Sequence, residues 1–146
     1  MNKTKLYKTL FAFFLGLFAV SILFLLSVSG IASFEKSFPQ TTLNLFLHIL
    51  ILSALLEEGI KFILIKKRKI DFPSGFFLGL GFGVGETLLK YPVSDFGPAL
   101  FSRSGAIILH ILTAGIICYS IKKKKPLIGF LVAIILHAGF NCLIYL

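Results

Sequence analysis

Residues 10–31 read LFAFFLGLFAVSILFLLSVSGI, a run without one charged side chain. A helix needs roughly 20 apolar residues to cross a ~30 Å hydrocarbon core, and this run has that length. Four more stretches of the same kind follow it. The second runs from Thr41 to Ile65 and is closed by Lys66-Lys67-Arg68-Lys69. The third, Pro73 to Tyr91, is shorter and rich in glycine. The fourth, Ala99 to Ile121, is closed by Lys122 to Lys125, and the fifth covers Pro126 to Leu146. The expected fold is therefore all-α, a polytopic bundle of five transmembrane helices. It forms one integral membrane domain over residues 1–146, with the core of any site within 41–146. Connections as short as Lys66 to Phe72 make neighbouring helices antiparallel.

Composition agrees. The chain has 146 residues, 57% of them hydrophobic, with 17 Phe and no Trp, more apolar surface than a soluble domain of this size would hide. The net charge of +9 does not point to nucleic acid, because the basic residues cluster in short runs beside the apolar stretches. Lys3, Lys5 and Lys8 precede the first run, and the two tetrabasic runs follow the second and fourth. The alternate loops carry Glu35, Lys36 and Asp95. By the positive-inside rule this places the N-terminus and both basic loops in the cytoplasm and the C-terminus outside, in a multi-pass protein of the cell membrane. The first run has basic residues before it and Ser29, Gly30 and Ala32 near its end, as a signal peptide would. Its apolar region exceeds the usual 7 to 15 residues, so a retained helix is expected. Cys118 and Cys142 form no CxxC or Cys/His ligand spacing and read as buried thiols.

Ionisable groups inside a bilayer cost several kcal/mol, pair with one another, and mark function. At ~1.5 Å per residue, Glu57 and Glu58 lie about 11–12 Å from the cytoplasmic end, His110 and His137 about 16 Å, Glu86 about 20 Å and Asn141 about 22 Å. Three glutamates and two histidines from four helices thus share a band about 10 Å thick. Helical phase adds that Gly75, Gly79, Phe82 and Gly83 lie on the face of Glu86, and small residues let another helix approach. Ala106, Thr113 and Ala114 flank His110. Ala133, His137 and Asn141 make one stripe, and Ser53, Glu57 and Lys61 form an i, i+4 ladder, so that Glu57–Lys61 reads as an ion pair. His48, on the far side of its helix, reads as structural, and Lys90 with Tyr91 as a boundary pair. Adjacent carboxylates such as Glu57 and Glu58 repel, an arrangement that suits proton handling better than packing.

Three motifs stand in order, each in its own helix. Glu57-Glu58-Gly59-Ile60-Lys61 fits EExxK, Gly79 to Glu86 fits GxGFxxxE, and His137 to Asn141 fits HxxxN. Together they resemble the PrsW family of glutamic-type intramembrane proteases, related to the CAAX-processing and bacteriocin-processing membrane proteases. The resemblance spans roughly residues 53–141. It departs from the family at Asn141, where many members have Asp, and in the shortness of the chain.

The resemblance implies hydrolysis of a peptide bond in a membrane-anchored protein or peptide. Glu57 or Glu58 would serve as general base on a water, with Glu86 positioning that water. His137 and Asn141 would face the oxyanion, His110 would protonate the leaving amine, and Lys61 would balance the glutamates. No cofactor is required by this reading, although Glu57, Glu86, His110 and His137 also suit a divalent metal such as zinc. The rival readings are a proton- or cation-coupled carrier built on the same groups, haem held by His110 and His137, and an interaction protein that kept the scaffold without the activity. Substrate identity, oligomeric state and the choice between the two glutamates are not legible at this stage.

Overall fold

The computed structural model describes residues 3–35, 53–90 and 100–145. Among them there are five α-helices and no strand: α1 (Lys3–Glu35), α2 (Ser53–Arg68), α3 (Phe72–Lys90), α4 (Leu100–Lys122) and α5 (Pro126–Tyr145). Four of these, α1, α3, α4 and α5, are long and apolar enough to cross a membrane, so the chain is a multi-pass membrane protein. The fifth expected span, α2, is described over only 16 residues, with Glu57, Glu58, Lys61 and the basic run among them. Its upstream part, residues 41–52 with His48, lies outside the described residues, as do Lys36, Tyr91 and Asp95. The outward surface fits a bilayer. Phe11, Phe14, Phe18, Leu25, Leu127, Leu131, Ile135 and Leu143 are all exposed, far more contiguous apolar surface than a water-soluble monomer displays.

Both basic turns are closed in the same way. Lys69 and Lys124 adopt φ of 50° and 58°. The amide of Ile70 donates to the Ile65 carbonyl at 3.1 Å, and that of Lys125 to the Ser120 carbonyl at 2.8 Å. These are the long bonds of a Schellman C-cap, which normally takes glycine at its left-handed position. A lysine there costs about 1–2 kcal/mol of backbone strain. Lys124→Gly is therefore expected to raise the thermal midpoint in detergent, offset in part by the entropy glycine adds to the unfolded chain.

Beyond the first of these turns, Asp71 caps α3. Its Oδ1 accepts from the Ser74 amide at 3.0 Å, the N-cap bond of a helix start, and Pro73 sits in the first turn, where its missing N–H is harmless. Hydrogen bonding from the Ser74 side chain, then from its backbone amide, lowers the Asp71 pKa, with Lys8 and Lys5 adding to this against partial burial. The folded pKa lies below the unfolded one, so the cap's charge contribution is present at neutral pH and fades as pH falls through the folded value. Asp71→Ala is expected to cost about 1 kcal/mol at pH 7 and less at pH 3, read as the difference in melting between the two pH values.

The glycine-rich α3 is the middle of the bundle because it has two bare faces. A Cβ on Gly79 would collide with the His110 carbonyl of α4, and one on Gly81 with the Phe13 carbonyl of α1. Gly75 and Gly83 extend the first face against Cys118 and Ile107, and Gly85 extends the second against Leu17 and Val20. Numbering rises together along α1 and α3, which are parallel, and oppositely along α3 and α4, which are antiparallel. The stripe Ala12, Gly16, Ala19, Val20 and Leu23 seats α1 on the bundle, so α1 is an integral packing element. Gly79→Ala is expected to destabilise by about 1–3 kcal/mol and to displace His110, seen as a lowered melting temperature in detergent.

Helix α2 lies across α4 and α5. Phe62 stacks on Phe130 with ring centroids 5.0 Å apart, and Ile65 joins Leu78, Ala114, Ile117 and Ala133 in a dry cluster. These directions bring Lys5 and Lys8, the α2–α3 turn and the α4–α5 turn to one end of the molecule, as the short turns require.

Candidate functional site

Glu58 is the centre of the buried polar network. Its neighbours on α2 let it point inward, and it is fully enclosed. Oε1 lies 2.5 Å from Lys61 Nζ, 2.7 Å from His137 Nδ1 and 3.3 Å from Thr113 Oγ1. Lys61 is also wholly buried and has three acceptors for its three N–H bonds: Glu58, Thr113 Oγ1 at 2.9 Å and His110 Nδ1 at 2.9 Å. The sequence ladder is corrected here. Lys61 pairs with Glu58 at i, i+3 and not with Glu57, because the enclosed carboxylate needs a counter-charge more than the one nearer the outer rim. Glu57 Oε1 instead accepts from Ser53 Oγ at 3.0 Å.

The tautomers follow from these donors. Lys61 donates to His110 Nδ1, so His110 carries its proton on Nε2, which donates to Glu86 Oε2 at 2.5 Å. His137 donates from Nδ1 to Glu58, which leaves Nε2 as an acceptor. Lys90 also changes its reading. Its Nζ bonds Glu86 Oε1 and stands 3.9 Å from Glu57 Oε1, so it belongs to the site and is not merely a boundary residue. Its side chain is 37% exposed, which makes it the mouth of the network.

Glu57 Oε2 is buried and has no hydrogen-bond partner. It faces His137 Nε2 at 3.7 Å and His110 Nε2 at 3.8 Å, just beyond a direct bond, so a water that touches both sides would sit beside the line that joins them. Glu58 Oε2 is likewise without a partner, but its carboxylate is already held through Oε1.

Ligand atoms of Glu57, His110 and His137 lie within 4.8 Å of one another, which tests the metal reading. Tetrahedral zinc ligands at ~2.0–2.2 Å stand roughly 3.4 Å apart, close to what is seen. Glu57 and His137 fit, the latter with the carboxylate partner on its other nitrogen that zinc-bound histidines usually have. His110 does not, since the Lys61 bond leaves the proton on Nε2. Glu86, expected in such a shell, is taken up by His110 and Lys90. The set fits a water that donates to Glu57 and His137, the His110 N–H being given to Glu86.

Among the described residues the network opens at Lys90. It runs from Lys90 through Glu86, His110 and Lys61 to Glu58 and His137. One helical turn further toward the basic end, Ile65, Ile117 and Ala133 close it off with Leu78 and Ala114. All the groups expected from depth and phase meet here: Glu57, Glu58, Glu86, His110, His137 and Lys61. Asn141 is half-buried one turn beyond His137. Thr113, noted in the sequence only as a neighbour of His110, proves to be a bonded member. Its signal was the i, i+3 spacing from His110 on a helix otherwise apolar at that depth.

Compared with protein-family models, with curated proteins and with solved structures, the chain matches none.

Proposed function

We propose that this chain is an intramembrane peptidase that hydrolyses a peptide bond of a membrane-anchored protein or peptide, with water activated by Glu57. The carrying observation is the buried, partnerless Glu57 Oε2 aimed at His137 Nε2 and His110 Nε2. The three motifs that resemble the PrsW family supply the reaction class, and the geometry refines the roles. A water between Glu57 Oε2 and His137 Nε2 would give each a hydrogen bond, which leaves a lone pair free to attack a carbonyl. Glu57 takes the proton as general base. The oxyanion donor is the His110 N–H, which would swing from Glu86 Oε2 to the substrate as the carbonyl docks while Glu86 keeps its bond to Lys90; the sequence reading assigned this role to His137 and Asn141. Glu57 later returns its proton to the leaving amine. Glu58, Lys61 and Thr113 are positioning residues that orient both imidazoles. By the positive-inside rule the basic turns would lie on the cytoplasmic side, which would turn the Lys90 end of the network toward the outer half of the membrane.

A proton- or cation-coupled carrier is favoured by the continuous chain of ionisable groups. The apolar layer at Ile65, Ile117 and Ala133 speaks against it, because a carrier's path must open to both sides. The test uses purified chain in liposomes with a library of single-span peptides in ¹⁸O-labelled water. Hydrolysis places one ¹⁸O in each new C-terminal carboxyl. Proton flux with no cleavage of any peptide would favour the carrier and sink the peptidase, and loss of cleavage in a chelator would restore the metal variant.

A further inference from the structure

Away from the ionisable network, a groove of about 280 Å³ follows the outward seam of α3 and α4, lined by Phe72, Phe76, Leu112, Gly115, Ile116 and Tyr119. It begins at the basic end of the bundle. Phe72 is the first residue of α3 and Tyr119 belongs to the last turn of α4. Phe76 lies so close to α4 that a Cβ on Gly115 would meet its Cε1 at 2.7 Å. The rings of Phe72 and Phe76 touch at 4.9 Å between centroids, and Phe72 and Tyr119 at 6.1 Å, which makes a rigid apolar wall.

The open end of this wall carries a cation. Lys123 Nζ stands 5.6 Å from the centre of the Tyr119 ring, a cation–π distance that holds it over the groove. Lys122, Lys124 and Lys125 flank it on the exposed turn. The nearest acidic residue in sequence to the groove, Asp71, is engaged by Ser74 and by the charges of Lys8 and Lys5, so it does not cancel this field. A narrow apolar slot that ends beneath a fixed ammonium is complementary to a molecule with one long apolar tail and an anionic head.

We propose that the α3–α4 groove binds an anionic phospholipid, one acyl chain lying along Phe72, Phe76 and Ile116 and the headgroup phosphate paired with Lys123. The site is separate from the Glu57 network and does not depend on the peptidase reading.

The experiment is native mass spectrometry of the purified chain titrated in detergent with phosphatidylglycerol or with phosphatidylcholine of identical acyl chains. Phosphatidylglycerol is expected to be retained about five-fold better, the equivalent of one lysine beside an anionic headgroup. Lys123→Gln should abolish that preference, while Lys67→Gln, which removes the same charge from the other basic turn, should leave it. Leu112→Trp, which fills the groove from an exposed position, should lower the retention of both lipids. Ile116→Trp makes the same test should Leu112→Trp fail to fold, as judged by circular dichroism. Equal loss in Lys67→Gln and Lys123→Gln would show a diffuse charge effect and overturn the site. Unchanged retention in a folded groove-filling variant would overturn it as well.

Discussion

Lys61→Met is expected to destabilise the protein by about 3–5 kcal/mol, the usual result of breaking one side of a buried ion pair. The ammonium is fully enclosed and satisfies Glu58, Thr113 and His110 at once. Its loss strands the Glu58 carboxylate with His137 and Thr113 as its remaining described partners, behind the apolar layer of Ile65, Ile117 and Ala133. Methionine fills the volume, so the penalty is electrostatic and not a cavity. The double variant Glu58→Gln/Lys61→Met removes both charges and should recover more than half of the loss, since a neutral pair of similar shape costs far less to bury. Circular dichroism melts in detergent make the measurement. A midpoint for Lys61→Met within about 2 °C of the parent, against the roughly 10 °C or more that 3–5 kcal/mol produces in a chain of this size, would rule out a buried pair of this kind.

Glu57→Gln should do the reverse, with folding nearly untouched and hydrolysis lowered by about 10²–10⁴-fold. Gln keeps an oxygen for the Ser53 hydroxyl, and the other carboxylate oxygen has no partner to lose. What it removes is the carboxylate oxygen that faces both imidazoles across the gap between them. Glu58→Gln separates the two roles. It should lower stability together with activity, because Glu58 orients His137 and anchors Lys61. The readout is the ¹⁸O incorporation assay in liposomes beside the melt of each variant. Retained cleavage in Glu57→Gln, with loss in Glu58→Gln, would move the general base to Glu58.

The polar groups of this chain were recognisable before any coordinates because lipid enforces a simple rule. A glutamate or histidine within an apolar helix must face protein, and a rise of ~1.5 Å per residue ranks its depth. That is why Glu57, Glu58, Glu86, His110 and His137 were grouped correctly from four separate helices. The same arithmetic misassigned partners. An i, i+4 spacing on α2 favours Glu57–Lys61, yet α4 presents Thr113 and His110 to Lys61 on the side of Glu58, and three acceptors outweigh one. Lys90 looked like a boundary residue because its distance to Glu57 depends on how α2 and α3 cross, which neither helix encodes alone.

By itself, then, the sequence determined a helical membrane protein, the level at which its ionisable residues lie, and the glycine face on which α3 meets its neighbours. Only the tertiary structure decided that Glu58 anchors Lys61 and His137 through Oε1, while Glu57 turns Oε2 toward both imidazoles. It also decided that His110 is a donor and His137 an acceptor, and that among the described residues Ile65, Ile117 and Ala133 close the network toward the basic end. Periodicity fixes which way a side chain leaves its own helix. Which lone pair meets which N–H is settled by the other helices, through donors and acceptors that lie tens of residues apart in the chain.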